Sequence, residues 1–311
     1  MILKNAKIMD DTFTLVDACL STEGERIADI APDLHGEEEI DLAGCVVVPG
    51  FVDIHIHACV GADTCDASTA GLAKMAAHLV TKGVTSFCPT TMTVSHEEIE
   101  DALATVKACM DDRPFGAAIM GVNMEGPYIS INKKGAQKGE YVKNPDWEEF
   151  KGFYDGCGGI IKVVDIAPEC EGAEEFIREV QPYCPVSIAH TAADYDQAVR
   201  AIEWGVRHAT HLYNAMSGLT HRGPGVVGAC FDMGRTYGLQ AELICDGFHI
   251  HPAALRVAFS QMGEDGTVIV SDSMCAAGHK DGEYDLGGQT VYVRDGKALL
   301  ADGTIAASTS N

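Results

Sequence analysis

The sequence predicts an α/β protein, a (β/α)8 barrel of the TIM type that follows a small N-terminal β domain. From residue 49 onward, eight short apolar segments alternate with segments of helical periodicity. Strands separated by helices pair in parallel, and eight of them close a barrel. A doubly wound open sheet is the alternative, but the G-x-G-x-x-G motif expected after its first strand is absent.

The predicted domain division places a small β-sandwich-like domain at 1–48 and the barrel at 49–311. In the first domain, strand-like segments are separated by the polar turns DD, EGE and HGEEE. Its strands are predicted at 2–9, 17–24, 26–31 and 45–48.

The barrel elements follow from apolar runs and from helical spacing of apolar residues. Strands are predicted at 51–57, 84–90, 117–125, 160–169, 186–190, 208–214, 239–247 and 267–272. The clearest helical patterns are at 67–83, 95–110, 171–180, 194–205 and 251–263. Ser95 with Glu98 forms a capping box at the start of one helix.

Charge and cysteine content exclude several classes of protein. The chain has 311 residues and a formal net charge of −24, which disfavours nucleic acid and anionic membranes as partners. Its 12 cysteines include no C-x-x-C pair, so a zinc ribbon and a thioredoxin motif are excluded. No apolar run approaches the roughly 20 residues of a membrane helix. Reduced thiols in the cytoplasm are the simplest interpretation.

Six residues with metal-binding or acid–base side chains fall at or near the C-terminal ends of predicted strands. They are His55, His57, Glu125, His190, His211 and Asp272. In a barrel of this type those strand ends lie on one rim, where the chemistry is found. We therefore expect the six side chains to converge on a single site.

His55 and His57 form an H-x-H pair on the first barrel strand. Side chains alternate along a strand, so both imidazoles point the same way and could hold one ion. The alternative is two ordinary histidines on a half-exposed strand, although Asp53 on the same face favours a metal. Cys59 could add a thiolate, but a buried loop cysteine is the simpler interpretation.

The other four residues also have two interpretations each. Glu125 ends an apolar strand, where a bare carboxylate is costly, so it could bridge two cations or be an exposed acid before a turn. His190 and His211 could be metal ligands or hydrogen-bonded rim histidines. Asp272 could be a general acid and base beside a metal or the cap of a helix.

Three further histidines are assigned by position. His208 lies three residues before His211, so it faces the other way on a strand and is interpreted as structural. His249 and His251 repeat the H-x-H spacing at a loop–helix junction. There a substrate contact is favoured over a second metal pair.

Several motifs together carry a family resemblance. They are PGFVDIHIH, NMEGPYIS, KKGAQ, IAPE, IAHT, THLYNAMSGLTHRGPG, ICDGFHIHP and VSDSM, in this order. With them the chain resembles the N-acetylglucosamine-6-phosphate deacetylase family of the metal-dependent amidohydrolase superfamily. H-x-H alone marks only the superfamily, whereas EGP with HLYNAM and DGFH is much more specific.

The resemblance implies a divalent metal, with one or two ions per chain, zinc or iron being the expected metals. His55 and His57 would bind one ion, His190 and His211 the other, and Glu125 would bridge them. Asp272 matches the catalytic aspartate. The residues implied to contact the substrate are Gln137, Asn214, Ala215, Arg222 and His249. Gln137 stands where many members have a histidine and others a glutamine.

The implied reaction is hydrolysis of the acetamide of a small amino-sugar phosphate, N-acetyl-D-glucosamine 6-phosphate, by a homodimeric cytoplasmic enzyme. The galactosamine epimer remains an alternative substrate, as does another amide. A dihydroorotase-like enzyme is disfavoured because no lysine ends a mid-barrel strand. A sugar-phosphate-binding protein without catalysis is disfavoured by Asp272. Family members continue past ADGTIAAST with a last helix and strands, so a C-terminally truncated, unstable fragment is also an alternative.

Overall fold

Residues 1–51 form a five-stranded sheet in the computed structural model, which describes the whole chain, residues 1–311. The strands are β1 (Ile2–Met9), β2 (Leu15–Glu23), β3 (Arg26–Ala31), β4 (Glu39–Asp41) and β5 (Val46–Val47). β1 pairs antiparallel with β2 and parallel with β4 and β5. β4 is fully exposed and polar at both ends, which explains why the apolar pattern did not predict it. The backbone divides after Phe51, into units Met1–Phe51 and Val52–Asn311.

The second unit begins with the strands of a parallel barrel. After β6 (Phe51–Ile56), a short hairpin forms from β7 (Ala58–Cys59) and β8 (Ala62–Asp63). The other barrel strands are β9 (Val84–Thr91), β10 (Ala118–Ile119), β11 (Val122–Met124), β12 (Ile161–Ile166), β13 (Val186–Ile188), β14 (His208–Ala209), β15 (Gln240–Ile244) and β16 (Thr267–Val270). β6 pairs with β9, and the order then runs from β11 to β16. The N–H of Asp272 donates to the carbonyl of His55 at 2.8 Å, which joins the last strand position to the first.

Seven helices cover the barrel, one after each strand position except the last. They are α1 (Thr69–Val80), α2 (His96–Asp112), α3 (Trp147–Gly156), α4 (Ala173–Val180), α5 (Tyr195–Trp204), α6 (Gly225–Tyr237) and α7 (Pro252–Met262). Five of them match the predicted helical patterns, and the capping box of Ser95 and Glu98 starts α2. α3 and α6 were not among the predicted patterns, and in α6 three glycines lower helix propensity and obscure the apolar spacing.

One predicted strand, 117–125, is divided into β10 and β11 at Gly121. This glycine has φ +145°, and a Cβ there would lie 2.4 Å from the carbonyl oxygen of Ile160. β10 therefore pairs only with β9, whereas β11 pairs with both β9 and β12.

Three predicted strands end earlier than the apolar runs that predicted them. His190, His211 and Asp272 have φ angles of 42°, 32° and 47°, in the left-handed region that breaks extended backbone. Pairing accordingly stops two residues before each of them. The three side chains thus sit at the first turn after their strands, on the C-terminal rim.

After β16 the chain forms an antiparallel sheet instead of a helix. Its strands are β17 (Gly282–Leu286), β18 (Gln289–Arg294) and β19 (Lys297–Leu299). The sequence did not predict this sheet. None of the helices combines the length and the apolar composition that a membrane crossing requires.

Candidate active site

A cavity of about 410 Å³ opens at the C-terminal rim of the barrel. This volume is in the range of small-molecule sites. The site residues predicted from the sequence that line it are His57, Glu125, Gln137, His190, His211, Asn214, Ala215, His249 and Asp272. His55 is fully buried and contacts Glu125 and Asp272. Ten of the eleven predicted site residues are thus brought to one place, and Arg222 is not.

Glu125 lies at the centre of the cluster. Its Oε1 is 3.1 Å from Nε2 of His190 and 3.0 Å from Nε2 of His211. Its Oε2 is 3.3 Å from Nε2 of His57, and Oε1 is 3.6 Å from Nε2 of His55. Two three-residue groups therefore share Glu125, one with His55 and His57 and the other with His190 and His211.

The donor set fits a divalent cation. In a tetrahedral zinc site with bonds of about 2.0–2.2 Å, neighbouring ligand atoms lie roughly 3.3–3.6 Å apart. The distances from Glu125 to His57 and His55, 3.3 and 3.6 Å, match this spacing, and those to His190 and His211 are slightly shorter. The Nε2 atoms of His190 and His211 are only 3.2 Å apart, and the buried Nε2 of His55 has no hydrogen-bond partner. Two ring nitrogens this close repel each other unless a proton or a cation lies between them, and a buried nitrogen without a partner is costly.

The backbone and a buried acid hold the imidazoles with Nε2 toward Glu125. Nδ1 of His55 is 2.8 Å from Glu242, Nδ1 of His190 is 2.9 Å from the carbonyl of Lys133, and Nδ1 of His57 is 3.3 Å from that of Thr90. An N–H donated from Nδ1 leaves the Nε2 lone pair free for a metal.

Asp272 lies beside the first histidine pair. Its Oδ1 is 3.3 Å from Nε2 of His57 and 3.6 Å from Nε2 of His55. Burial raises the pKa of Asp272, but the hydrogen bond and charge of His57 and the charge of His55 lower it more, so the net pKa is below its usual value. The carboxylate is therefore ionised at neutral pH and can accept a proton.

Without a cation, protons neutralise the cluster. Burial lowers the pKa of His57, but its hydrogen bonds to Asp272 and Glu125 raise it to about 10. Burial also raises the pKa of Glu125, which His190 and the other histidines lower well below its usual value. His57 therefore holds a proton that a cation must displace.

Glu242 is a functional residue that the sequence analysis missed. It is fully buried on β15, contacts His55, and accepts the main-chain N–H of His211 at 3.1 Å. The Oε1 of Glu242 lies 3.7 Å from Nε2 of His208, which is buried as its structural assignment expects. The available signal was an acid in the middle of the apolar run LQAELICDG.

Gln137 contacts the central carboxylate directly. Its amide nitrogen donates to Oε2 of Glu125, and its amide oxygen accepts the N–H of Thr93 at 2.7 Å. The second hydrogen bond fixes which end of the amide faces Glu125. Gln137 can therefore hold Glu125 in place as well as line the cavity.

His249 is oriented by Asp246, another residue that the sequence analysis did not single out. Nδ1 of His249 is 2.7 Å from Oδ2 of Asp246, so Nε2 is left as the free ring nitrogen. His251 instead caps the N-terminus of α7 and does not line the cavity. The H-x-H spacing at 249–251 therefore does not make a second metal pair.

Arg222, which the family resemblance implies to contact the substrate, is not among the residues that line this cavity, and its contact stays a prediction. It is exposed and lines a separate depression with residues 192–196, 217–218 and 223–225. The loop that carries it turns away after Met216, beyond the cavity-lining Asn214 and Ala215. Cys59 is buried and belongs to neither metal-ligand group.

Comparison with known proteins assigns the family. The amidohydrolase family matches residues 46–280. This chain belongs to the amidohydrolase family. The N-acetylglucosamine-6-phosphate deacetylase of Bacillus subtilis (strain 168) is 39% identical to it over 99% of this chain and 79% of the relative. The N-acetylgalactosamine-6-phosphate deacetylase of Escherichia coli O157:H7 is 34% identical to this chain, over 99% of this chain and 80% of that relative.

Solved structures of members of this family have the same fold as this chain. The N-acetylglucosamine-6-phosphate deacetylase of Pasteurella multocida superposes with a TM-score of 0.89 at 31% identity, over 99% of this chain and 80% of that structure. A mutant of the Mycobacterium smegmatis enzyme in complex with N-acetyl-D-glucosamine-6-phosphate has a TM-score of 0.88 at 30% identity, with the same coverage. The predicted barrel and the predicted family resemblance are confirmed.

Proposed function

We propose that this amidohydrolase hydrolyses the acetamide of N-acetyl-D-glucosamine 6-phosphate, giving acetate and D-glucosamine 6-phosphate in amino-sugar catabolism. The observation that carries the proposal is the arrangement of Glu125 between two histidine pairs, with Asp272 Oδ1 3.3 Å from His57 Nε2. The named relatives support the substrate, since deacetylases of this sugar phosphate match nearly the whole chain.

The proposed cofactor is a divalent metal, zinc or iron, with one or two ions per chain. His55, His57 and Glu125 would hold one ion, and Glu125, His190 and His211 the other. When bound, such a cation supplies Lewis acidity, which lowers the pKa of water and polarises an acyl oxygen.

Asp272 is the proposed proton carrier. It accepts the proton of the attacking water as the C–O bond forms at the acyl carbon. It then delivers that proton to the amide nitrogen, since the C–N bond breaks readily only when the amine leaves protonated. His249, with its Nδ1 hydrogen bonded to Asp246, would direct Nε2 toward the oxyanion that forms in between.

The proposed substrate contacts are Gln137, Asn214, Ala215, Arg222 and His249, all of which except Arg222 line the cavity. Asn214 is held by the carbonyl of His211, to which its side-chain amide donates at 3.2 Å. A sugar bound against Asn214 would therefore lie next to the second histidine pair.

N-acetyl-D-galactosamine 6-phosphate is the second candidate substrate. The Escherichia coli O157:H7 deacetylase named for it matches 99% of this chain at 34% identity, close to the glucosamine enzymes. A homodimer and a cytoplasmic location are also proposed, as the family resemblance implies. Sedimentation of the purified protein tests the dimer.

The decisive experiment is acetate release from both epimers by the purified protein, with its metal content measured on the same sample. Asp272→Asn should lower turnover by at least roughly 100-fold, the usual contribution of a general acid and base, and leave the metal content unchanged. Asp155→Asn, at an exposed ion pair on α3, is the matched control. A metal-loaded wild-type protein that releases acetate from neither sugar would refute the proposed function.

A further inference from the structure

A row of buried polar side chains connects four neighbouring strands inside the barrel, from β12 to β15. Its five members, in order of contact, are Asp165, Thr210, Ser187, His208 and Glu242. We refer to these five residues as the polar network. Glu242 also contacts Nδ1 of His55, so the network ends at a metal ligand. The proposed mechanism assigns no role to the other four members.

The contacts within the polar network join each member to the next. Oγ1 of Thr210 lies 2.8 Å from Oδ1 of Asp165 and 2.6 Å from Oγ of Ser187. Oγ of Ser187 lies 2.9 Å from Nδ1 of His208. Nε2 of His208 faces Oε1 of Glu242 at 3.7 Å, and neither of these two atoms has a hydrogen-bond partner.

The protons of the polar network have to point in one direction. Each hydroxyl has one proton, and burial lowers the pKa of His208 more than the charge of Glu242 raises it, so the ring is neutral and has one N–H. If donation starts at Asp165, Ser187 donates to Nδ1 of His208, and Nε2 carries the N–H toward Glu242. In the opposite direction the lone pair of Nε2 faces the Glu242 carboxylate, and the two repel each other.

We propose that Asp165, as a neutral acid, is a positioning residue that donates to Thr210 and so sets the direction of the whole polar network. In this direction His208 points its N–H at Oε1 of Glu242, which leaves Oε2 to accept from His55. The inference rests on the proposed function only in taking the histidine cluster to be a metal site, since it involves no contact with the substrate.

The surroundings of Asp165 favour the neutral acid. Its side chain is fully buried, and its Oδ2 has no hydrogen-bond partner. An ionised carboxylate would leave a charged oxygen unpaired inside the barrel, which is far more costly than an unpaired carbonyl oxygen. Burial and the charges of Glu125 and Glu242 also raise the pKa of Asp165 well above its ordinary value. Asp165 therefore has a proton to donate.

The position of the ring proton of His208 tests the inference in the wild-type protein. NMR of the nitrogen-15-labelled protein should show this proton on Nε2, with the signals assigned by their loss in His208→Gln. Infrared spectroscopy at neutral pH should show the band of a protonated carboxyl group that Asp165→Asn removes. A proton on Nδ1 of His208, or no band that is lost in Asp165→Asn, would overturn the inference.

Substitutions in the polar network should change zinc affinity, measured by competition with a chromophoric chelator. Ser187→Ala removes the middle hydroxyl, and we expect it to lower the affinity by up to roughly 10-fold, the lower end of what an outer carboxylate contributes. Asp165→Ala should lower it as much. Asp165→Asn keeps an N–H that can donate to Thr210, so its affinity should stay close to that of the wild type.

Thr91→Val is the matched control, because Thr91 is a buried threonine on β9 whose Oγ1 has no hydrogen-bond partner. Its zinc affinity should equal that of the wild type. The double variant of Ser187→Ala with Glu242→Gln separates positioning from a general structural loss. If Ser187 acts through Glu242, the double variant loses no more affinity than Glu242→Gln alone.

Three results on zinc affinity would overturn the inference. They are additive losses in the double variant, an equal loss in Thr91→Val and Ser187→Ala, and wild-type affinity in Ser187→Ala. None of these measurements requires acetate release. A wild-type protein that binds zinc but hydrolyses neither sugar would therefore refute the proposed function and leave this inference standing.

Discussion

Oε2 of Glu242 lies 2.8 Å from Nδ1 of His55, and both side chains are fully buried. The same oxygen accepts the main-chain N–H of His211 at 3.1 Å. Burial raises the pKa of Glu242, but the charge of His55 and its hydrogen bond lower it more, so the carboxylate is ionised. One buried carboxylate thus positions a residue of each histidine pair.

Replacing Glu242 should weaken metal binding at the His55 and His57 end of the cluster. Outer carboxylates that orient a ligating histidine typically contribute roughly 10- to 100-fold to metal affinity. We expect Glu242→Gln to lower zinc affinity within that range, because the neutral amide no longer supports the Nδ1 tautomer. Competition with a chromophoric chelator measures this without any assay of activity.

The control for this variant is Glu203→Gln, an exposed acid on α5. It removes the same charge from the chain and should leave the affinity unchanged. Equal zinc affinity for Glu242→Gln and the wild type would show that Glu242 does not position His55.

Metal removal should make the stability of the protein depend on pH in the alkaline range. In the metal-free protein the pKa of His57 is raised to about 10, because burial lowers it less than Asp272 and Glu125 raise it. A histidine side chain in the unfolded protein has a pKa of about 6.5. Protonation of His57 therefore stabilises the folded state fully below about pH 6.5, and this contribution is lost as the pH rises toward 10.

A bound cation replaces that proton, so the metal-loaded protein should lack this dependence. The measurement is Tm between pH 6 and pH 10, with and without a chelator. We expect the two curves to diverge as the pH rises. Parallel curves would show that protons do not neutralise the cluster in the absence of metal.

The candidate site was largely predictable because its histidine and acidic residues interrupt or end apolar runs of the sequence. His55, Glu125 and Asp272 stand at the ends of apolar runs, and the parallel barrel brings all such ends to one rim. The lengths of the strands were less predictable. Three positive φ angles, at His190, His211 and Asp272, stop the strands, and apolar periodicity carries no signal for a backbone turn.

Residues that act through another residue were harder to find. Glu242 and Asp246 contribute by contacts with His55 and His249, which depend on distances that only the folded chain defines. Arg222 lies seven residues beyond the cavity-lining Ala215, and its side chain lines a separate depression. Whether it contacts a substrate stays a prediction.

Asp246→Asn should reduce activity through His249. Burial raises the pKa of Asp246, but the hydrogen bond from His249 lowers it more, and the main-chain N–H groups of Phe248 and His249 also donate to its carboxylate at 2.9 Å. Losing the charge frees the ring to rotate or change tautomer. We expect kcat/KM for acetate release to fall by up to about 100-fold, as misplacement of a site group can cause.

Asp232→Asn on α6 is the control, since Asp232 bonds only the exposed Tyr195 hydroxyl. The variant Asp246→Asn should also be compared with His249→Ala and with the double variant. If Asp246 acts through His249, the double variant loses no more than the larger single loss. Additive losses would contradict that coupling.

Gly126 should tolerate no side chain, because it fixes the position of Glu125. Its φ is +82°, and a Cβ would lie 2.0 Å from Oγ1 of Thr93. Gly126→Ala therefore combines a clash with left-handed strain, which alone costs about 1–3 kcal/mol in the free energy of unfolding. Urea unfolding measures the loss, and zinc affinity should fall with it because Glu125 is displaced.

Thr93→Ala in the Gly126→Ala background separates the two causes. It removes Oγ1 but leaves the backbone strain, so we expect it to restore part of the stability and not all of it. Gly152→Ala is the matched control, since its Cβ would meet nothing within 4 Å on α3, and alanine there should be neutral or stabilising by about 0.5–1 kcal/mol. Full stability and zinc affinity in Gly126→Ala would show that this turn does not hold Glu125 in place.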